Sequence, residues 1–225
     1  MITDTIEIYS DLICPWCYIG QQKMRKGLEL LGKEASPKIR WVPFQLNPDM
    51  PVEGMDRKIY RSRKFGSWER SQAMDADVAA AGKSVGLIFN YERVTMTPNT
   101  LAGHRLLWWS LAADRQDQVA NALFEGYFTE GRDIGKHDVL AEIASEVGFA
   151  KDDALKFLAS DEGSEEVTEE EAQGKNLGVG GVPFFVINGV PAFSGAQSPQ
   201  AFAEAFRSAF GGTTGQCGTD SCDIS

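Results

Sequence analysis

Thr5-Ile6-Glu7-Ile8-Tyr9-Ser10-Asp11-Leu12-Ile13-Cys14-Pro15-Trp16-Cys17 is the stretch that decides the fold. Residues 5–9 alternate apolar and polar, the pattern of a half-buried strand. The strand ends at Ser10-Asp11-Leu12-Ile13, and a helix starts at Cys14-Pro15, because proline is favoured at the first helical position. That helix carries Met24, Leu28 and Leu31 on one face and stops near Gly32. Ile39-Arg40-Trp41-Val42 is a second strand, halted by Pro43. Strand, helix and strand within about 40 residues make one parallel crossover unit.

Cys14 and Cys17 stand at the junction of the first strand and helix. There, unpaired backbone N–H groups and the helix dipole favour an anion. A thiolate is the reactive form of cysteine, so Cys14 is placed to attack a disulfide. Cys17, one turn on, is placed to resolve the mixed disulfide. Half of a zinc site and two inert core thiols are the competing readings. Val182-Pro183 heads the strand Phe184-Phe185-Val186-Ile187. A proline there cannot donate to a ladder. A cis peptide would turn the Val182 main chain outward to pair with a bound peptide, whereas a trans bond would make it a simple loop.

Around these anchors the rest of the chain falls into place. Between about Met55 and Leu158 no strand is expected, and four helical stripes recur. They are Met74/Val78/Ala81, Leu106/Trp109/Ala113, Val119/Leu123/Phe124 with Tyr127/Phe128, and Val139/Leu140/Ile143/Ala144/Val147. Gly131, Gly135 and Gly148 punctuate them. Seven of the eleven residues from Asp161 to Glu171 are acidic, the pattern of a solvated helix face. Asn188-Gly189 is a hairpin turn, with Val190 to Phe193 returning. Ser198-Pro199 starts a last helix with Phe202, Phe206 and Phe210 on one stripe. The expected class is α/β: a thioredoxin-like unit formed by residues 1–50 and 165–210, an all-helical insertion at 51–164, and a flexible tail at 211–225 carrying Cys217 and Cys222.

The chain has 225 residues, 43% hydrophobic and 24% charged, which suits a globular protein able to bury a core without disulfide support. Its 22 Lys+Arg against 32 Asp+Glu give a formal charge of −10. That argues against nucleic acid and anionic membranes as partners. There is no run of 18 apolar residues, so no membrane span is expected. The first residues lack a basic and an apolar signal segment, so a cytoplasmic location is expected. In a reducing compartment a catalytic or oxidative-stress-sensing cysteine pair is the expected use.

No cofactor motif is found. Gly82-Lys83-Ser84 lacks the glycine a phosphate loop needs at Asp77, and Gly178-Val179-Gly180-Gly181 opens no helix. Trp108 and Trp109 suit packing, His137 suits the surface, and Trp16 suits the rim of the site. His104 lies in a helix beside Trp108, where it either packs in the core or reaches a substrate pocket.

The strand–CPWC–helix start and Gly181-Val182-Pro183-Phe184-Phe185-Val186-Ile187-Asn188-Gly189 resemble the thioredoxin superfamily. The helical insertion resembles its DsbA branch. Ser10 to Gly20, Asn99-Thr100-Leu101-Ala102-Gly103-His104-Arg105-Leu106-Leu107, Phe128-Thr129-Glu130-Gly131-Arg132-Asp133-Ile134 and Phe193-Ser194-Gly195-Ala196-Gln197-Ser198 are together similar to the FrnE-like proteins of that branch. The likeness covers roughly residues 4 to 210. It implies a thiol–disulfide oxidoreductase or isomerase with no cofactor and no metal, acting on protein or peptide disulfides, with small thiols or a reductase as electron donor. It makes Cys14 the nucleophile, Cys17 the resolving thiol and Pro183 a cis residue, with Trp16, Val182 and His104 as expected substrate contacts. The terminal Cys217 and Cys222 resemble the second pair of some FrnE-like members. An arm from Phe210 to Cys217 reaches roughly 23 Å when extended, enough to serve as an auxiliary redox pair. Secreted DsbA proteins carry a signal and a His before the second cysteine. Here Trp16 takes that place, and without that cation the couple is expected to be less oxidising than DsbA's, about −120 mV. Two other functions compete: a glutathione-dependent isomerase or kappa-type glutathione transferase, whose members use Ser where Cys14 stands, and a zinc or soft-metal binder using the four thiolates.

Overall fold

The computed structural model describes residues 4–32 and 36–210. Strand β1 (Thr5–Ser10) leads into helix α1 (Pro15–Glu29), which returns to β2 (Lys38–Pro43). β1 and β2 run parallel, with Ile8 opposite Trp41. After a long excursion come β5 (Phe184–Ile187), β6 (Val190–Ser194) and α9 (Pro199–Phe210). β5 lies antiparallel to β1 and β6 antiparallel to β5, so the sheet order is β2-β1-β5-β6. Asn188 and Gly189 both have positive φ, 51° and 76°, which the tight turn between β5 and β6 requires. The element order and strand order give an α/β unit of the thioredoxin-like kind that the sequence led one to expect.

The pleat splits the sheet into two faces. Ile6, Ile8, Phe185 and Ile187 share the main core with Phe202 and Phe206 of α9 and Met24 of α1. Tyr9, Val42 and Val186 form a second cluster on the opposite face, with Val179. Helix α8 (Ser164–Asn176) covers that face closely: a methyl added at Gly174 would lie 2.6 Å from the Tyr9 ring. Arg40 of β2 pairs with Glu7 of β1 at 2.9 Å and with Glu170 of α8, so it ties the sheet to that helix.

The excursion holds α2 (Arg57–Phe65), α3 (Trp68–Lys83), α4 (Leu101–Ser110), α5 (Gln116–Glu125), α6 (His137–Glu146) and α7 (Lys151–Leu158). α5 runs on into a π turn over Gly126–Glu130. Tyr18 of α1 stacks on Phe124 at 5.1 Å, which fixes the helices of the excursion to the sheet domain.

Four sequence expectations are corrected. The region read as all-helical holds a short antiparallel ladder, β3 (Met55–Asp56) with β4 (Met96–Thr97). Two residues pairing across some forty leave no periodicity to read. Pro43 is the last residue of β2 rather than the residue that stops it, as an edge strand tolerates a missing donor. Met74 is 37% exposed, and the inner face of α3 is instead Ser71, Asp75, Val78 and Gly82. That face is partly polar because it meets Arg57 and Arg61 of α2. Finally, the acidic run is not wholly solvated. Glu171 is buried and accepts a hydrogen bond from the Gln45 N–H. Cys217 and Cys222, with the tail read as flexible, lie outside the described residues.

Candidate active site

Cys14 caps α1 in an extended conformation (φ −89°, ψ 109°), with Pro15 as the first helical residue. Its N–H donates to the Asp11 carbonyl at 3.0 Å, and its own carbonyl accepts from Cys17 N–H at 3.0 Å. The sulfur therefore stands at the amino end of a 15-residue helix, where the aligned peptide dipoles favour negative charge. Both thiols are free. Cys17 is fully enclosed, and burial, followed by its contact with Cys14, pushes its thiol well above the ordinary range.

The Val182–Pro183 bond is cis. The Cys14 Sγ donates to the Val182 carbonyl at 3.6 Å. That carbonyl thus faces the sulfur. Gly20 makes this approach possible: a methyl there would lie 3.0 Å from the Pro183 ring. Pro183 is buried between α1 and β5, whereas Trp16 is 42% exposed at the rim.

His104 sits elsewhere. It is enclosed beneath the loop, its Nε2 3.6 Å from the buried Asp11 carboxylate, and both ring nitrogens lack a hydrogen-bond partner among the described residues. The substrate contact expected at His104 is therefore corrected: this side chain opens onto no groove beside Cys14. Asp11 is the residue that spacing overlooked. Its carboxylate accepts from Leu46 N–H at 2.7 Å and from Ile13 N–H at 3.4 Å, so it holds the active-site loop and the loop after β2 together.

A cavity of about 290 Å³ opens beside Cys14, Pro15 and Trp16. Its other walls come from α2, α3 and the π turn: Arg57, Arg61 and Lys64, then Asp75 and Val78, then Tyr127 and Phe128. Sequence reading missed the α2 cations. Arg57 and Arg61, four apart on one helix face, were the available signal. Among the described residues no cluster of three or more His, Cys, Asp or Glu is arranged to hold a metal, and no helix is long and apolar enough to cross a membrane.

Comparison with known proteins agrees with this architecture. Residues 5–207 match the DSBA-like thioredoxin domain. The chain is 25% identical over 148 residues to the uncharacterized protein YwbO of Bacillus subtilis (strain 168), covering 66% of this chain and 68% of the relative. It superposes on the crystal structure of a probable DsbA oxidoreductase from Streptomyces coelicolor with a TM-score of 0.86 at 28% identity, covering 99% of each chain. The cytosolic disulfide reductase DsbM of Pseudomonas aeruginosa shares the fold, with a TM-score of 0.65 at 16% identity over 92% of this chain and 98% of that one. A thiol pair at the amino end of α1, a cis proline facing it, and a family match across nearly the whole chain lead to one assignment: the protein belongs to the DSBA-like thioredoxin domain family.

Proposed function

We propose that the protein is a FrnE-like thiol–disulfide oxidoreductase that acts on protein or peptide disulfides through Cys14 and Cys17. The observation that carries the reading is the asymmetry of the pair. Cys14 stands at the helix end beside a cavity and the cis Val182–Pro183 segment, while Cys17 is fully enclosed behind it. The Cys14 thiolate attacks one sulfur of a substrate disulfide, forming a mixed disulfide and releasing the other sulfur as thiolate. Cys17 then loses its proton and attacks the Cys14 sulfur. The substrate leaves as its second thiolate, and the protein is left with a Cys14–Cys17 disulfide. Small thiols or a reductase return that disulfide to the thiols. Trp16 adds apolar contact at the rim for an unfolded substrate.

The proposal extends to exchange between this pair and Cys217/Cys222, and to a cytoplasmic site of action. The test is insulin reduction with trapping. Cys14→Ser should abolish turnover, and Cys17→Ala should accumulate a mixed disulfide on Cys14. Equal turnover by Cys14→Ser and wild type would remove the proposal. Replacing Cys217 and Cys222 together by Ser should shift the potential or the turnover; no change in either removes the exchange step.

A further inference from the structure

The cavity beside Cys14 has a charge opposite to that of the molecule. Arg57, Arg61 and Lys64 all line it, and Asp75 is the one carboxylate among the described lining residues. Asp75 Oδ2 accepts from Arg57 Nη2 at 2.7 Å and Asp75 Oδ1 accepts from Arg61 Nη2 at 2.8 Å. One carboxylate thus serves two guanidiniums, and Lys64 adds a third cation at the mouth. Lys64 is held there by Tyr60 Oη at 2.6 Å and Asn47 Oδ1 at 3.0 Å. The wall also carries the Tyr91 hydroxyl, which is buried and has no hydrogen-bond partner among the described residues. The chain as a whole has a formal charge of −10, so two uncompensated positive charges in a cavity are not a by-product of composition.

Arg57 is only 4% exposed. A buried guanidinium in excess of its counter-charges favours an anion, and the arginine fork matches a carboxylate. Ile13, Leu46, Phe65 and Val78 add apolar wall to the same cavity. A volume of about 290 Å³ suits a small molecule. Cys14 and the three cations line the same cavity.

We infer that this cavity binds small disulfides and thiols that bear a carboxylate, the carboxylate on Arg61 and Lys64 and the sulfur at Cys14. The inference rests on the proposed role of Cys14 and names a second substrate class for it. In the oxidising direction Cys14 thiolate attacks RS–SR to give Cys14–S–SR and RS⁻. Cys17 thiolate then displaces the second RS⁻ and closes the protein disulfide. The small disulfide is the oxidant, and two thiolates leave for each disulfide formed in the protein.

The experiment measures reaction of the reduced full-length protein with an anionic bis(nitrobenzoate) disulfide, a neutral dipyridyl disulfide and cationic cystamine. Each rate is normalised to that of a free cysteine peptide. The expected order is anionic above neutral above cationic. Arg61→Gln with Lys64→Gln should cut the anionic-to-neutral ratio by about tenfold or more, and Arg61→Lys should restore part of it. Lys64→Gln alone removes an exposed side chain, so it reports the same trend if the Arg61 variants fold poorly. An unchanged ratio in Lys64→Gln and in the double variant overturns the inference.

A second readout does not need the chemistry. Binding of the S-methylated nitrobenzoate thiol to the Cys14→Ser protein should saturate and weaken about tenfold in Lys64→Gln. Absence of saturable binding also overturns the inference. Slow reaction with every disulfide alongside intact binding would instead remove the role given to Cys14.

Discussion

Asp75→Ala should destabilise the protein far more than its single carboxylate suggests. Asp75 is 9% exposed and bonds Arg57 at 2.7 Å and Arg61 at 2.8 Å, side chains that are 4% and 17% exposed. Removing it strands a buried guanidinium, which costs about 3–5 kcal/mol. At this chain length that lowers Tm by roughly 6–20 °C, at about 2–4 °C per kcal/mol. An ion pair of the same length at the surface provides the contrast. Arg132 Nη1 and Glu146 Oε1 are also 2.7 Å apart, but the side chains are 28% and 45% exposed. Solvent screening holds the expected loss for Glu146→Ala below about 1 kcal/mol. Distance is therefore matched and burial decides. The assay is urea unfolding of the reduced protein, monitored by far-ultraviolet circular dichroism. Arg57→Met with Asp75→Leu removes both buried charges and should recover more than half of the Asp75→Ala loss. If Asp75→Ala lies within about 1 kcal/mol of wild type, the charge argument is wrong, and with it the electrostatic basis of the cavity's preference.

Other consequences of the structure are open to simpler tests. Burial, then Glu125, pushes Tyr18 from 10.0 up to about 12. A raised folded value means its stabilising share is complete below pH 10 and lost as pH rises through about 12, so the stability gap between wild type and Tyr18→Phe should change only in that window. Cys17 is raised by burial as well, so closure of a Cys14 mixed disulfide should speed up about tenfold per pH unit between roughly pH 7 and 8.5; a rate flat across that range would contradict its burial. A methyl at Gly103 would fall 2.5 Å from Leu12 Cδ1, in the loop leading to Cys14. Gly103→Ala should cost about 1–3 kcal/mol through overpacking and should also alter the alkylation rate of Cys14. An alkylation rate equal to wild type would show that Leu12 does not transmit the strain.

Much of the fold and the cysteine pair could be read locally, because short-range rules govern them. The alternation at residues 5–9, proline at the first helical position, Asn188-Gly189 between two apolar runs, and the Phe202/Phe206/Phe210 stripe each act within a few residues. Cys14 and Cys17 are three positions apart, so the chemistry proposed for them is also written in one helical turn. What escaped was non-local or polar. The ladder between Met55–Asp56 and Met96–Thr97 joins segments that carry no strand pattern of their own. Asp75 stands where a helical stripe should be apolar and fits there only because Arg57 and Arg61 meet it from another helix.

From sequence alone, then, the strand–helix–strand start and the placing of the cysteine pair at its first helix were determined, since torsional preference and hydrophobic period are properties of neighbouring residues; the cis form of Pro183 was implied only by the resemblance. The tertiary structure decided what surrounds the sulfur. It turned the Val182 carbonyl toward Cys14, hid His104 against Asp11, and brought the cations of α2 to the edge of the site. Those outcomes depend on how segments dozens of residues apart pack, and burial rather than sequence spacing sets the strength of the charges they bring together.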